Sequence, residues 1–134
     1  MAKTFRQIAG AAMQAAPSVT PEEARARMDA DPDVLLVDVL DLADRRALGQ
    51  PEGATPISVG MLALRADHEV PEHLRDERLQ DRDLPVITIC GNGPLSAIGA
   101  QTLQEMGFTD VSYVAGGRAA WAQAGFPLVP PTDG

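Results

Sequence analysis

The sequence predicts an α/β domain with a central, mostly parallel sheet of about five strands and helices on both faces. Short apolar runs at residues 34–37, 86–89 and 111–114 are typical of strands, and the first of them is continuously apolar, as in a strand covered on both faces. Helical patterns with their own start and stop signals separate these runs. Strands and helices that alternate in this way favour parallel pairing.

The first half of the chain begins this alternation. Thr20-Pro21-Glu22-Glu23 combines an N-cap, a proline at the first helical position and a capping-box glutamate, so we expect a helix from there to about Met28. The next elements expected are a strand at 34–37, a short helix at 41–48 broken at 49–53, a brief strand at 57–59 and a helical stretch at 61–65.

The second half of the chain continues the alternation of strands and helices. It does so after a polar segment, residues 67–83, which is expected to be a loop with a helical turn. The strand at 86–89 is expected to be central, and the helical pattern that follows at 97–106 is closed by Gly107. The strand at 111–114 comes next, and Gly116-Gly117 opens a last helix that runs to Gly125. Trp121 is expected to anchor this helix in the core.

We expect one domain at residues 18–129, with an N-terminal helical extension at 1–17 and a C-terminal tail at 130–134. Disorder is expected from Pro127 onward. The basic, alanine-rich N-terminus loosely resembles a signal peptide, but Gln7, Gly10 and Gln14 interrupt its hydrophobic stretch. An amphipathic helix ahead of the domain is the better interpretation.

Composition excludes several classes of function. The formal net charge of −8 argues against nucleic acid or an anionic membrane as a partner. No apolar run approaches the roughly 20 residues that a membrane helix needs. The single cysteine excludes an intramolecular disulfide and a multi-cysteine zinc site, and an unpaired thiol favours a reducing compartment, so we expect the cytoplasm.

That single cysteine, Cys90, is the strongest candidate for chemistry. It ends an apolar run and is followed by Gly91-Asn92-Gly93-Pro94-Leu95-Ser96 and then by a helical pattern. Backbone N–H groups in such a turn and the helix dipole favour a thiolate, which is the nucleophilic form. A small buried hydrophobic role is the usual alternative for a lone cysteine. Its place at a strand end beside a glycine-rich turn favours the functional interpretation.

Five motifs in the right order around Cys90 resemble the single-domain rhodanese family. The resemblance extends from about Ser18 to Val129. Its motifs are Leu36-Val37-Asp38-Val39, Gly49-Gln50-Pro51-Glu52-Gly53-Ala54, Gly60-Met61-Leu62-Ala63-Leu64-Arg65-Ala66-Asp67, Cys90 itself, and Gly116-Gly117-Arg118-Ala119-Ala120-Trp121 with Ala124-Gly125-Phe126-Pro127 after it.

The resemblance implies a rhodanese-like three-layer fold and sulfur transfer at Cys90. The Cys90 thiolate would attack the outer sulfur of thiosulfate, a polysulfide or a persulfide and hold that sulfur as a persulfide. A thiol, cyanide or a protein acceptor would then remove it, and no metal or organic cofactor is required. The loop that would hold the anionic sulfur contains Gly91, Asn92, Gly93, Leu95 and Ser96.

The cysteine loop departs from the family pattern Cys-x-x-Gly-x-Arg, because Leu95 replaces the arginine and Pro94 has no N–H. Leu40 and Val59 stand in two further arginine positions, and Gln50 stands in a histidine position. An arginine contributes about 1.5–3 kcal/mol per charged hydrogen bond, so its loss would lower the rate roughly ten- to a hundredfold. The alternative function is a catalytically weak or inactive rhodanese-like module that binds a protein partner.

Other candidates carry plainer expectations. A cysteine phosphatase needs Cys-x5-Arg, and the arginine position holds Ser96, which disfavours phosphoryl chemistry. Asp38 is expected to be a structural hydrogen-bond partner near the site. Arg65 and Arg118 are expected to be solvated, with the hypothesis that one of them swings toward Cys90. The two histidines, His68 and His73, are expected at the surface without a metal.

Overall fold

The computed structural model describes residues 1–132, and at their centre lies a five-stranded parallel sheet in the order β1-β6-β5-β2-β4. Its strands are β1 (Ser18–Val19), β2 (Leu35–Asp38), β4 (Thr55–Pro56), β5 (Val86–Ile89) and β6 (Val111–Val114). A separate antiparallel pair joins β3 (Gln50–Pro51) to β7 (Leu128–Val129). The predicted α/β class is confirmed, and β5 is the central strand as expected.

Helices cover both faces of this sheet. They are α1 (Phe5–Ala15), α2 (Pro21–Ala30), α3 (Leu42–Leu48), α4 (Val59–Ala66), α5 (Pro94–Glu105) and α6 (Gly117–Gln123). One core cluster joins the first, fourth and fifth helices to the sheet, while the other joins α2 and α6 around the fully buried Trp121. Within residues 1–132, none of the helices has the length and apolar character that crossing a membrane requires.

The register of β2 and β5 places their carboxyl ends side by side. Asp38 pairs with Ile89 across the two strands, and the Val39 N–H donates to the Ile89 carbonyl at 3.0 Å. Chain that leaves the carboxyl ends of parallel strands meets at one edge of the sheet, where ligands usually bind in such folds. Asp38 and Cys90 therefore lie at the same edge.

Several local expectations need correction. The strand expected at 57–59 lies instead at Thr55–Pro56, because those residues continue the ladder with β2, and α4 already begins at Val59. The polar segment 67–83 holds two 3-10 turns, Glu72–Leu74 and Glu77–Gln80, where one helical turn was expected.

The disorder expected from Pro127 onward is also wrong for the described part of that segment. Leu128–Val129 pairs with β3, and the Thr132 carbonyl accepts a hydrogen bond from Arg45 at 2.7 Å. The end of the predicted tail, residues 133–134, lies outside the described residues.

The start of α6 packs directly against the backbone that carries Cys90. The Arg118 N–H donates to the Cys90 carbonyl at 3.0 Å, and the Ala119 N–H donates to the Gly91 carbonyl at 3.4 Å. Gly117 makes this approach possible: its φ is +53°, and a Cβ there would lie 2.6 Å from the Gly91 oxygen and 2.7 Å from the Cys90 oxygen. A residue with a side chain cannot occupy this position without moving the loop.

We predict that Gly117→Ala lowers the free energy of unfolding by at least about 2 kcal/mol, because left-handed strain and the steric conflict with two carbonyl oxygens add together. Urea denaturation measures the change. The matched control is Gly10→Ala in α1, where no atom lies within 4 Å of the added Cβ, and there we expect a gain of about 0.5–1 kcal/mol. Equal stability of Gly117→Ala and the parent would contradict the close packing of α6 on the loop.

Candidate active site

Cys90 lies directly after β5, and only 1% of it is exposed. Its Sγ accepts a hydrogen bond from the Gly93 N–H at 3.0 Å, and its thiol donates to the Ser96 Oγ at 3.3 Å. Gly93 is the N-cap of α5 and has φ +121°, a conformation that favours glycine. The turn therefore closes back on the sulfur, with a backbone donor aimed at it.

Ser96 holds the other side of the sulfur. It is fully buried, and its hydroxyl donates to the Gly93 carbonyl at 2.9 Å while accepting the Cys90 thiol proton. The Ser96 carbonyl in turn accepts a hydrogen bond from Thr88 Oγ1 at 2.7 Å. Because a hydroxyl is both donor and acceptor, the Ser96 O–H can also turn to donate to a thiolate.

A cavity of about 260 Å³ opens over Cys90. Gly91 and Asn92 of the cysteine loop line it, and the remaining lining residues are Phe5, Leu40, Asp44, Leu48, Pro94 and Leu95. Among the described residues that line it, Asp44 is the one charged side chain, and there is no lysine or arginine. The space that faces the nucleophile is therefore apolar with an acidic group, and it carries no cation for an anionic ligand.

Arg118 does not supply that cation, and the expectation that it is solvated is wrong. It is 4% exposed, its guanidinium forms a buried ion pair with the Asp38 carboxylate, and its Nε donates to the Gly49 carbonyl at 2.8 Å. Asp38 also accepts the Leu40 N–H at 3.2 Å, which is the structural role expected of it. Burial raises the pKa of the Asp38 carboxyl, and the hydrogen bond and charge of Arg118 oppose that rise.

Arg65 is half-buried and lies beside a different cavity. That cavity, of about 190 Å³, is separated from the Cys90 cavity by Leu40, which lines both, and Arg45 also lines it. Arg65 Nη1 donates to the Leu74 carbonyl at 2.8 Å. Neither arginine of the swinging hypothesis lines the cavity over Cys90.

The histidines are at the surface, as the sequence predicts. His68 and His73 are exposed, and His68 Nδ1 lies 2.8 Å from Gln80 Oε1. Across residues 1–132, no group of three or more His, Cys, Asp and Glu side chains is arranged to hold a metal ion.

Sequence reasoning missed three residues of the cavity wall, namely Phe5, Asp44 and Leu48. They belong to α1 and α3, far from Cys90 along the chain, so no local motif connects them with it. No signal in the sequence identifies them, because the exposure of the Phe5 and Leu48 side chains is a property that only the structure shows.

Comparisons with known proteins identify the family. A family model described as the rhodanese-like domain matches residues 20–124. A thiosulfate sulfurtransferase, GlpE, from Glaesserella parasuis is 34% identical over 110 residues, which cover 82% of this chain and 90% of the relative.

Solved structures match over most of the chain. A Rhodopseudomonas palustris protein of unknown function, described as a possible tyrosine phosphatase, has a TM-score of 0.84 and 26% identity, and the match covers 96% of both chains. The polysulfide-sulfur transferase homodimer of Wolinella succinogenes has a TM-score of 0.74 and 26% identity, with 96% of this chain and 88% of that chain covered.

We predict that Ser96→Ala lowers the free energy of unfolding by about 1–3 kcal/mol, because it removes a buried hydroxyl that bonds both Gly93 and Cys90. Ser112→Ala is the matched control. The Ser112 hydroxyl is buried and has no hydrogen-bond partner within residues 1–132, so its removal should be neutral or stabilising. Denaturation of both variants tests this, and equal losses would count against a structural role for the Ser96 hydroxyl.

Proposed function

Because this chain belongs to the rhodanese-like domain family, we propose that it is a sulfurtransferase that carries sulfane sulfur as a persulfide on Cys90. The observation that carries the proposal is the setting of the sulfur. Cys90 Sγ stands between the Gly93 N–H and the Ser96 hydroxyl, beneath a cavity that a donor can enter. Both groups can donate hydrogen bonds to an anionic sulfur, as an oxyanion hole does to oxygen.

Two half-reactions complete the transfer. The Cys90 thiolate attacks the outer sulfur of the donor, the donor's S–S bond breaks, and the remainder leaves with the electron pair, as sulfite in the case of thiosulfate. A thiolate acceptor, small or on a protein, then attacks the outer sulfur of the Cys90 persulfide. The S–S bond of that persulfide breaks, and the Cys90 thiolate is regenerated. Neither step needs a metal or an organic cofactor.

We propose that thiosulfate turnover is attenuated. Leu95 lines the cavity where the family pattern has an arginine, and no cationic side chain among residues 1–132 replaces it in the lining. The same observation supports the alternative, a rhodanese-like module that is catalytically weak or inactive and binds a protein partner. We place either activity in the cytoplasm, since an unpaired thiol favours a reducing compartment.

A phosphatase function is disfavoured, although one structural relative is described as a possible tyrosine phosphatase. Phosphate recognition by a cysteine loop depends on a bidentate arginine six positions after the cysteine. That position holds Ser96, whose hydroxyl bonds Gly93 and Cys90. The Asp44 carboxylate in the cavity wall would repel a phosphate dianion.

Intact mass spectrometry tests the persulfide. We expect the protein to gain one sulfur atom on exposure to inorganic polysulfide and to lose it to cyanide as thiocyanate. Cys90→Ser should gain none, because Cys90 is the only thiol of the chain. No gain with polysulfide, thiosulfate or an organic persulfide would overturn the proposal in favour of the binding module.

Thiocyanate formation from thiosulfate and cyanide tests the attenuation. We expect Leu95→Arg to raise this rate by about ten- to a hundredfold, because a guanidinium in the cavity wall would bind the sulfonate group. Leu95→Met is the matched control, since it changes the side chain without adding charge, and its rate should stay near that of the parent. Equal rates for the arginine and methionine variants would show that the missing positive charge does not limit the rate of thiosulfate turnover.

A further inference from the structure

We propose that the cavity over Cys90 selects sulfur donors with an apolar, uncharged carbon group, that is, organic hydropersulfides of the form R–S–SH. The inference rests on the proposed persulfide chemistry of Cys90 and adds to it the class of substrate. Its basis is the wall of the cavity, whose shape and charge suit a hydrocarbon group and oppose an anion.

The wall is apolar on several sides. Phe5 comes from α1, Leu40 follows β2, Leu48 ends α3, and Pro94 and Leu95 begin α5. An apolar cavity of about 150 Å³ is enough to bind benzene. The space of about 260 Å³ over Cys90 therefore accommodates a ring together with the two sulfur atoms of a hydropersulfide.

Two of these side chains are large, apolar and unusually exposed. Phe5 is 56% exposed and Leu48 is 52% exposed, and both face the same cavity. An apolar ligand would remove part of this surface from water, which is favourable roughly in proportion to the apolar area buried. Burial of the exposed Phe5 and Leu48 surface would therefore favour the binding of a hydrocarbon group.

The charged residues around the cavity also favour a donor with an uncharged carbon group. The Asp44 carboxylate is in the wall, Arg118 is held by Asp38, and Arg65 lines the separate cavity beyond Leu40. An anionic donor would lose hydration here and meet a like charge, and none of the described residues that line this cavity is a cation that would compensate. The protonated hydropersulfide, which is the form with an electrophilic outer sulfur, avoids both costs when its carbon group is uncharged.

The reaction balances without an added oxidant. Cys90–SH and R–S–SH give Cys90–S–SH and R–SH. The Cys90 sulfur forms a bond to the outer sulfur of the donor, the donor's S–S bond breaks, and the R–S⁻ group leaves with the electron pair. The proton that Cys90 gave up ends on the released thiol.

The test compares two donors with the same reacting group, benzyl hydropersulfide and 4-carboxybenzyl hydropersulfide, which is anionic at neutral pH. Quenched intact mass spectrometry gives the rate at which Cys90 gains sulfur from each. We expect the benzyl donor, which lacks the additional carboxylate, to react at least about tenfold faster. The double variant Phe5→Ala and Leu48→Ala should lower the rate with the benzyl donor by about tenfold. Asp44→Asn should reduce the ratio of the rate with the benzyl donor to the rate with the 4-carboxybenzyl donor.

The matched control is Ile8→Ala. Ile8 is an exposed apolar residue of α1, 47% exposed, and it does not line the cavity. Its variant should react like the parent, whereas a loss equal to that of the Phe5 and Leu48 variant would overturn the assignment of the wall. Thermal melting of each variant checks that the fold is intact.

The two proposals fail in different ways. Equal rates with the charged and uncharged benzyl donors overturn the selection but leave the persulfide on Cys90 standing. A lack of sulfur gain with both benzyl donors and with inorganic polysulfide overturns the sulfurtransferase function, and the selection with it.

Discussion

The buried ion pair between Asp38 and Arg118 is the contact on which the geometry of the site depends. Asp38 ends β2, while Arg118 belongs to the first turn of α6 and reaches the Gly49 carbonyl with its Nε. The main-chain N–H of the same arginine donates to the Cys90 carbonyl. One residue therefore fixes β2, the chain before β3, and the cysteine loop relative to one another. Such a pair is costly to desolvate, and loss of one partner from a buried pair costs about 3–5 kcal/mol, so its two members depend on each other.

This arrangement separates the stabilisation of charge on the sulfur from the recruitment of a charged donor. Two local dipoles, the Gly93 N–H and the Ser96 hydroxyl, lie within hydrogen-bond distance of the Cys90 sulfur. The buried guanidinium of Arg118 is paired with Asp38 and does not line the cavity above. Under the proposed function, such a loop would stabilise an anionic persulfide and still present no cationic side chain to an anion that approaches through solvent.

Local sequence determines much of the fold and the inner part of the site. The capping box of α2 forms as predicted, with Glu23 N–H donating to Thr20 Oγ1 at 3.1 Å and Thr20 N–H donating to Glu23 Oε1 at 3.0 Å. Cys90, Gly93 and Ser96 lie within one turn of chain, so their proximity follows from the strand–turn–helix pattern. Strands of two residues such as β3 and β7 carry no periodicity and form through pairing with each other. The burial of Arg118 could not be predicted from the sequence either, because a lone arginine is normally solvated and its partner, Asp38, lies 80 residues away.

The outer part of the site belongs to segments that contribute nothing to the nucleophile itself. Phe5 lies outside the range that the family model matches, residues 20–124. It reaches the cavity because it shares one face of α1 with the buried Ala9 and Ala12, which pack that face against the domain. The nucleophile is carried by a central strand and the start of α5, which are held from both sides by the core. Under the proposed function, changes in α1 or at the end of α3 would therefore alter which donors fit while leaving the geometry around the sulfur intact. That proposal assigns chemistry and selectivity to different elements of the fold, and the elements assigned to selectivity are those with their apolar side chains still exposed to solvent.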